Sequence, residues 1–168
     1  MRLDDLNQMD RPAFAATLHF AFELSPWVVE RAWSARPFDS IEAMHGAMMQ
    51  VLNAAPLGDK LALIRAHPEL AGKAAIARTL TAESAAEQAG AGLDRLTPEE
   101  FARFHDLNAE YGKRFGFPFI ICVRLNDKTS ILRAMQARLS NDREAEIAEA
   151  ITQIGLISKL RIQDAVTD

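Results

Sequence analysis

Cysteine is almost missing from this sequence. Cys122 stands alone among 168 residues, so no internal disulfide can form, and a reducing, cytoplasmic setting is expected. A surplus of positive charge is missing too. The 19 Lys and Arg are outnumbered by 23 Asp and Glu, and a net charge of −4 leaves no basic surface to hold a phosphate backbone. Nucleic acid is therefore not an expected partner. No apolar run is long enough to cross a bilayer, which excludes a helical membrane span. The opening Met1-Arg2-Leu3-Asp4-Asp5 has no apolar signal core, and the closing Ala165-Val166-Thr167-Asp168 lacks a Ser-Lys-Leu type of peroxisomal address.

The 8 glycines form no phosphate-cradling loop, no nucleophile elbow and no dinucleotide fingerprint. His19, His45, His67 and His105 show no ligand spacing, and His67-Pro68-Glu69-Leu70 is not a His-Glu-x-x-His pair on one helix face. Neither a metal nor a cofactor is expected.

What is present is helical periodicity. Apolar residues are 49% of the chain, enough for a substantial core in a single domain over residues 1–168. Phe14, Leu18, Ala21 and Phe22 form one stripe behind Asp10 as cap and Pro12 in the first turn. Ser25-Pro26 reads as cap and first helical residue of a short helix holding Trp27 and Trp33, which Arg36-Pro37 ends. Ile41, Met44, Met48, Val51 and Leu52 form the next stripe behind Asp39 or Ser40; Met44 and Met48 fit core filler better than a binding groove.

Leu57, Leu61 and Ile64 begin a helix that should stop at His67, because the residue before proline is pushed out of the α region. Beyond an irregular piece and residues 74–80, Thr81 caps a helix that Gly90 and Gly92 can end. Thr97-Pro98-Glu99-Glu100 reads as a capping box ahead of a helix burying Phe101, Phe104, Asn108, Tyr111 and Phe115 up to Gly116. Leu132, Met135 and Leu139 mark another helix. Ile147, Ile151 and Ile154 mark the last, behind Asn141 or Asp142. The expected architecture is all-α, with about eight or nine helices. Residues 117–123 are the exception: they read as a buried strand with no second strand to pair with, so their backbone groups must bind helix carbonyls, water or a ligand.

Three places could carry chemistry. His67 falls at the negative end of the preceding helix, which favours imidazolium and a proton donor near neutral pH. Ser84, Glu87 and Gln88 share one helix face at i, i+3 and i+4, offering a hydroxyl, a carboxylate and an amide. By spacing alone that face is better read as solvated surface, with Ala85, Ala86 and Ala89 covering the core. Arg161 extends the stripe of Ile147, Ile151, Ile154 and Ile157. It either snorkels past the core edge or turns its fork into a site holding a carboxylate or ureido carbonyl.

Taken together and in order, the motifs His67-Pro68-Glu69-Leu70, Ser84-x-x-Glu87-Gln88-Ala89-Gly90-x-Gly92-Leu93 and Phe115-Gly116-Phe117-Pro118-Phe119-Ile120 resemble the OHCU (2-oxo-4-hydroxy-4-carboxy-5-ureidoimidazoline) decarboxylase family. Phe22-Glu23-x-Ser25-Pro26-Trp27 and Asn108-x-x-Tyr111 fit as well, and the resemblance spans nearly the whole chain. It implies an all-helical homodimer that converts the ureidoimidazoline to (S)-allantoin and CO2, without cofactor, in uric acid degradation. It also assigns roles. His67 matches the catalytic proton donor, with Pro68 beside it in the pocket. Ser84, Ala85, Ala86, Glu87 and Gln88 match a substrate-binding helix, with Glu87 and Gln88 its main polar contacts. Phe119, Ile120, Ile121, Cys122 and Val123 match a segment that binds largely through its backbone, and Arg161 matches an arginine of the last helix. Two rivals stay open: an enzyme of the same fold acting on a related ureide or heterocyclic acid, and a helical interaction module using Trp27, Met44 and Met48.

Overall fold

The computed structural model describes residues 1–72 and 79–168. Among the described residues there are nine α-helices and no strand. They are α1 (Leu3–Gln8), α2 (Arg11–Thr17), α3 (Trp27–Ala32), α4 (Ile41–Ala54), α5 (Leu57–Ala66), α6 (Ala82–Gly90), α7 (Pro98–Phe115), α8 (Lys128–Arg138) and α9 (Arg143–Ala165), with 3-10 turns at Trp33–Ala35 and Val123–Leu125. The all-α expectation holds. Most of residues 74–80, placed by the sequence ahead of Thr81, lies outside the described residues. No helix described is long and apolar enough to cross a membrane.

The chain divides into two compact units: Met1–Ala66 with Ile154–Asp168, and His67–Gln153. In the first, Asp10 caps α2 as its spacing requires, its Oδ1 accepting from the Ala13 N–H at 2.8 Å. The helix ends at Thr17, short of the expected run to Phe22. Leu18, Ala21 and Phe22 are buried all the same, in the turns that follow, because apolar period reports burial and not backbone form. Ser25 does not cap α3, which begins at Trp27 with Pro26 ahead of it and no side-chain cap.

The next connection is tied down by Arg36. Its Nη1 donates to the carbonyls of Asn7 at 2.7 Å and Met9 at 2.6 Å, satisfying acceptors left over at the end of α1, and its fork stacks 4.2 Å from the Trp33 ring. Ser40 caps α4 through Ala43 N–H at 3.1 Å, and Met44, Met48 and Leu52 are fully buried as core. The two chain ends also lie together here: Leu3 N–H donates to the Thr167 carbonyl at 2.8 Å and Thr167 N–H to the Met1 carbonyl at 2.9 Å.

In the second unit the Thr97/Glu100 capping box is formed, and Gly116, at φ 78°, ends α7 in the left-handed conformation that glycine adopts without strain. Phe104, Leu107, Tyr111 and Phe115 enter the core. Phe101, expected to be buried with them, is 39% exposed and stacks on the ring of His105. On α8 the buried stripe is Ile131, Met135 and Leu139, with Leu132 only half-buried. Asp142 caps α9, accepting from the Ala145 N–H at 2.8 Å.

A charged cluster is buried beneath these helices. Glu146 is 0% exposed, and its carboxylate accepts from Tyr111 Oη, from Asn141 Nδ2 at 2.9 Å and from Arg138 Nη2 at 2.8 Å. Burial alone would favour its neutral form. The combined donation of Arg138, Tyr111 and Asn141 outweighs that, holding the carboxyl below its ordinary value. Burial, reinforced by the Glu146 partner, pushes the Tyr111 phenol well above its own.

Candidate functional site

The site begins where α5 ends. The helix stops at Ala66, leaving His67 as the first residue beyond it, and His67 is buried while Pro68 is half-buried. The chain then turns tightly. Ala71 sits at φ 53°, a left-handed conformation that a non-glycine residue adopts at a cost, and a Cβ on Gly72 would come within 2.8 Å of the Glu69 Cβ.

Two side chains hold this turn. Gln88 Oε1 accepts from the Ala71 N–H at 3.0 Å, with its Nε2 facing the Glu69 carbonyl at 3.5 Å. Asn108 Nδ2 donates to the Leu70 carbonyl at 2.8 Å. Neither role could be read from spacing, since Gln88 and Asn108 lie 17 and 38 residues from their partners. The one local signal is that Asn108 is a polar residue within the apolar stripe of α7, where a buried amide needs a partner. The other carbonyl face of that amide, Oδ1, is buried without a partner among the described residues.

Thr81 caps α6, its hydroxyl accepting from the Ser84 N–H at 3.3 Å. The orientation of this helix corrects the reading from spacing. Ser84 and Gln88 are buried, Glu87 is half-buried, and Ala85 and Ala86 are exposed, so the polar face points inward. α6 packs against the Val123–Leu125 turn. Glu87 lies close enough to Cys122 that its charge adds to burial, the larger effect, in raising the thiol above its usual value.

Residues 118–122 belong to no helix and no sheet; of the expected strand 117–123, Phe117 lies in a bend and Val123 opens the 3-10 turn Val123–Leu125. Phe119 is packed edge-on to Tyr111 at 5.4 Å between centroids and under the Arg138 fork at 4.3 Å, which commits its side chain to the core. The unit thus gathers His67, Pro68, the Ser84 to Gln88 face and residues 119–123. Arg161 belongs to the other unit, where it is 6% exposed and its Nη1 donates to Glu23 Oε2 and to the Phe20 carbonyl, each at 3.1 Å. Snorkelling is thereby overturned: the fork is buried against a carboxylate.

A largely apolar cleft of about 810 Å³ borders α6, lined by Leu80, Ala85, Leu93, Leu96, Pro98 and Phe101 together with Ala71 and Gln88. His67, Glu87 and residues 119–123 do not line it.

Gln88→Leu separates the clasp from any contact with a ligand. It would strand the Ala71 N–H in a buried turn, an expected loss of about 1–3 kcal/mol visible in thermal unfolding. Glu87→Gln, which keeps shape and leaves the Gln88 clasp in place, should leave the Ala71 amide as protected from deuterium exchange as in the parent.

The chain is similar over nearly its whole length to known proteins. The family model described as OHCU decarboxylase matches residues 7–163. A 2-oxo-4-hydroxy-4-carboxy-5-ureidoimidazoline decarboxylase of Halalkalicoccus jeotgali is 38% identical over 98% of this chain and 91% of that protein. The corresponding protein of Xenopus laevis is 36% identical over 98% and 94%. The uric acid degradation bifunctional protein PucL of Bacillus subtilis is 40% identical over 99% of this chain, which spans 33% of it. A crystal structure of (S)-allantoin synthase superposes with a TM-score of 0.79 at 26% identity, covering 99% of this chain and 54% of that one. The class is thus an all-helical decarboxylase, a carboxy-lyase. Within it, the chain belongs to the OHCU decarboxylase family.

Proposed function

We propose that this protein decarboxylates 2-oxo-4-hydroxy-4-carboxy-5-ureidoimidazoline to (S)-allantoin and CO2, the step its relatives are named for. The observation that supports the site most directly is the inward polar face of α6, with Ser84 and Gln88 buried and Glu87 half-buried, in the same unit as His67.

The substrate's departing carboxylate sits on a carbon that bears a hydroxyl and adjoins a C=N bond. When the C–CO2 bond breaks, its electron pair moves into the imine and gives an enol-like intermediate, which a proton then quenches on one face. The substrate is its own electron sink, so the reaction needs no cofactor. What the protein must supply is orientation, stabilisation of developing charge and a directed proton. His67 manages that proton near the hydroxyl and carboxylate. Glu87 holds ring or ureido N–H groups, Ser84 adds a hydroxyl, and Gln88 fixes the turn that bears His67 and Pro68. Residues 119–123 offer backbone groups. The resemblance assigns Arg161 to substrate as well, and Glu23 fixes its fork.

The family match runs through both units, which supports reading residues 1–168 as one functional domain. The resemblance further supports a homodimer, and the lone buried Cys122 a cytoplasmic location.

The assay generates the substrate in situ from urate with urate oxidase and hydroxyisourate hydrolase, then follows the optical activity of the allantoin formed. The substrate also decays spontaneously to racemic product, so the expected result is faster decay with the S enantiomer in excess. Racemic allantoin at the uncatalysed rate would sink the reading, leaving an enzyme for a related ureide or a binding module.

A further inference from the structure

The segment through Ile121 has two edges, and the described residues engage groups on one of them. In extended backbone, the N–H and C=O of residues i and i+2 share an edge and those of residue i+1 face the other way. On the edge of Ile120 and Cys122 three of the four groups are engaged, the Ile120 N–H being the exception among the described residues. The Ile120 carbonyl accepts from Arg138 Nη1 at 2.8 Å, the Cys122 N–H donates to Gln153 Oε1 at 2.9 Å, and the Cys122 carbonyl accepts from Asn126 Nδ2 at 3.0 Å. These anchors are themselves braced. Arg138 also grips Glu146 through Nη2 at 2.8 Å, and Gln153 Nε2 donates to Glu149 Oε1 at 2.7 Å. On the opposite edge, the N–H and C=O of Ile121 make no hydrogen bond with any described residue, although Ile121 is only 8% exposed. A buried peptide group left in that state is costly unless water or a ligand completes it.

We propose that Gln153 and Arg138 are positioning residues for the decarboxylation: by pinning the Ile120–Cys122 edge from α9 and α8 they aim the Ile121 N–H and C=O at the substrate. The inference rests on the decarboxylase reading. It adds two residues that no sequence motif marks and that touch no reacting atom themselves. Their action is angular. A rotation of the 120–122 peptides would move the Ile121 groups off the substrate while leaving every side chain of the segment packed.

The test uses three variants of the full chain in the coupled urate assay. Gln153→Leu keeps side-chain length and removes the acceptor for Cys122 N–H. Arg138→Lys keeps a positive charge beside Glu146, but one ammonium cannot serve both the carboxylate and the Ile120 carbonyl. The double exchange Glu149→Gln with Gln153→Glu swaps the braced pair and restores an acceptor at position 153. Misplacement by about 1 Å costs on the order of 10²-fold in rate. Each single variant is therefore expected to lose roughly 10- to 100-fold in kcat/KM and part of its enantiomeric excess while staying folded at the assay temperature, Gln153→Leu with the lowered unfolding midpoint that one stranded buried N–H entails. In that variant the Cys122 amide should also exchange faster with deuterium. The double exchange should return kcat/KM to within about threefold of the parent, well inside the span that misplacement covers.

Parental kcat/KM and enantiomeric excess in both single variants would overturn the proposal. So would a loss that the double exchange does not restore, or one matched by an equal loss of folded protein. If the parent chain itself gives racemic allantoin at the uncatalysed rate, the decarboxylase reading fails instead.

Discussion

His67→Ala is expected to lose about 10²–10⁴ of the catalysed rate, the range typical for removing a general acid, while the protein still folds. The size follows from the role given to His67: with the electron sink supplied by substrate, the directed proton is the protein's main chemical contribution. Folding should survive because the backbone around His67 is held by other groups. Pro68 restricts the chain, Gln88 takes the Ala71 N–H, and Asn108 donates to the Leu70 carbonyl. The measurement is the initial rate and optical activity of allantoin beside circular dichroism and thermal unfolding of the same preparation. A variant that is folded and fully active would remove His67 from the mechanism.

Glu146→Ala should have the largest effect on stability. Breaking a buried ion pair by deleting one partner costs about 3–5 kcal/mol, because the remaining charge stays in a poor solvent. Here the stranded partner is Arg138, whose side chain is 11% exposed, and Tyr111 and Asn141 lose their acceptor as well. In a chain of this size that corresponds to a fall in Tm of roughly 10 °C.

The pH dependence has a definite sign. Because the folded carboxyl is held below its ordinary value, its stabilising contribution is complete above the unfolded pKa of about 4.3 and is lost as pH falls through the folded value. Glu146→Gln, which cannot titrate, should therefore show a shallower loss of stability than the parent below about pH 4. Parallel acid limbs for the two proteins would contradict the assignment.

Local signals were legible in the sequence and long-range ones were not. Thr97-Pro98-Glu99-Glu100 carries its capping box within four consecutive residues, and the structure forms it. Asp10, Ser40 and Thr81 likewise cap within three residues of their partners. The end of α2 was misread because Leu18, Ala21 and Phe22 keep a helical period while buried in turns, where burial needs no helix. Phe101 was misread because its stripe was extrapolated back to the first turn of α7, beyond the reach of the core.

At the site, the side chains were legible but their orientation was not. Three alanines look like the natural core face of α6, yet Ala85 and Ala86 are exposed. Only tertiary packing on the Val123–Leu125 turn decides that. Glu146 was hidden more deeply. An acid in the first turn of a helix is expected for dipole reasons alone, so nothing local marks it as the buried acceptor of Tyr111, 35 residues away.

The meeting of the chain ends has its own consequence. Thr167 donates to the Met1 carbonyl and accepts from the Leu3 N–H, so residues near the two ends lie side by side. A short covalent bridge between the ends would demand little of the folded geometry. Its effect would fall on the denatured chain, which would have less freedom to lose on folding. The same proximity makes the protein portable: its two ends leave from one point, so it can be spliced into an exposed loop of a host without prising that loop apart.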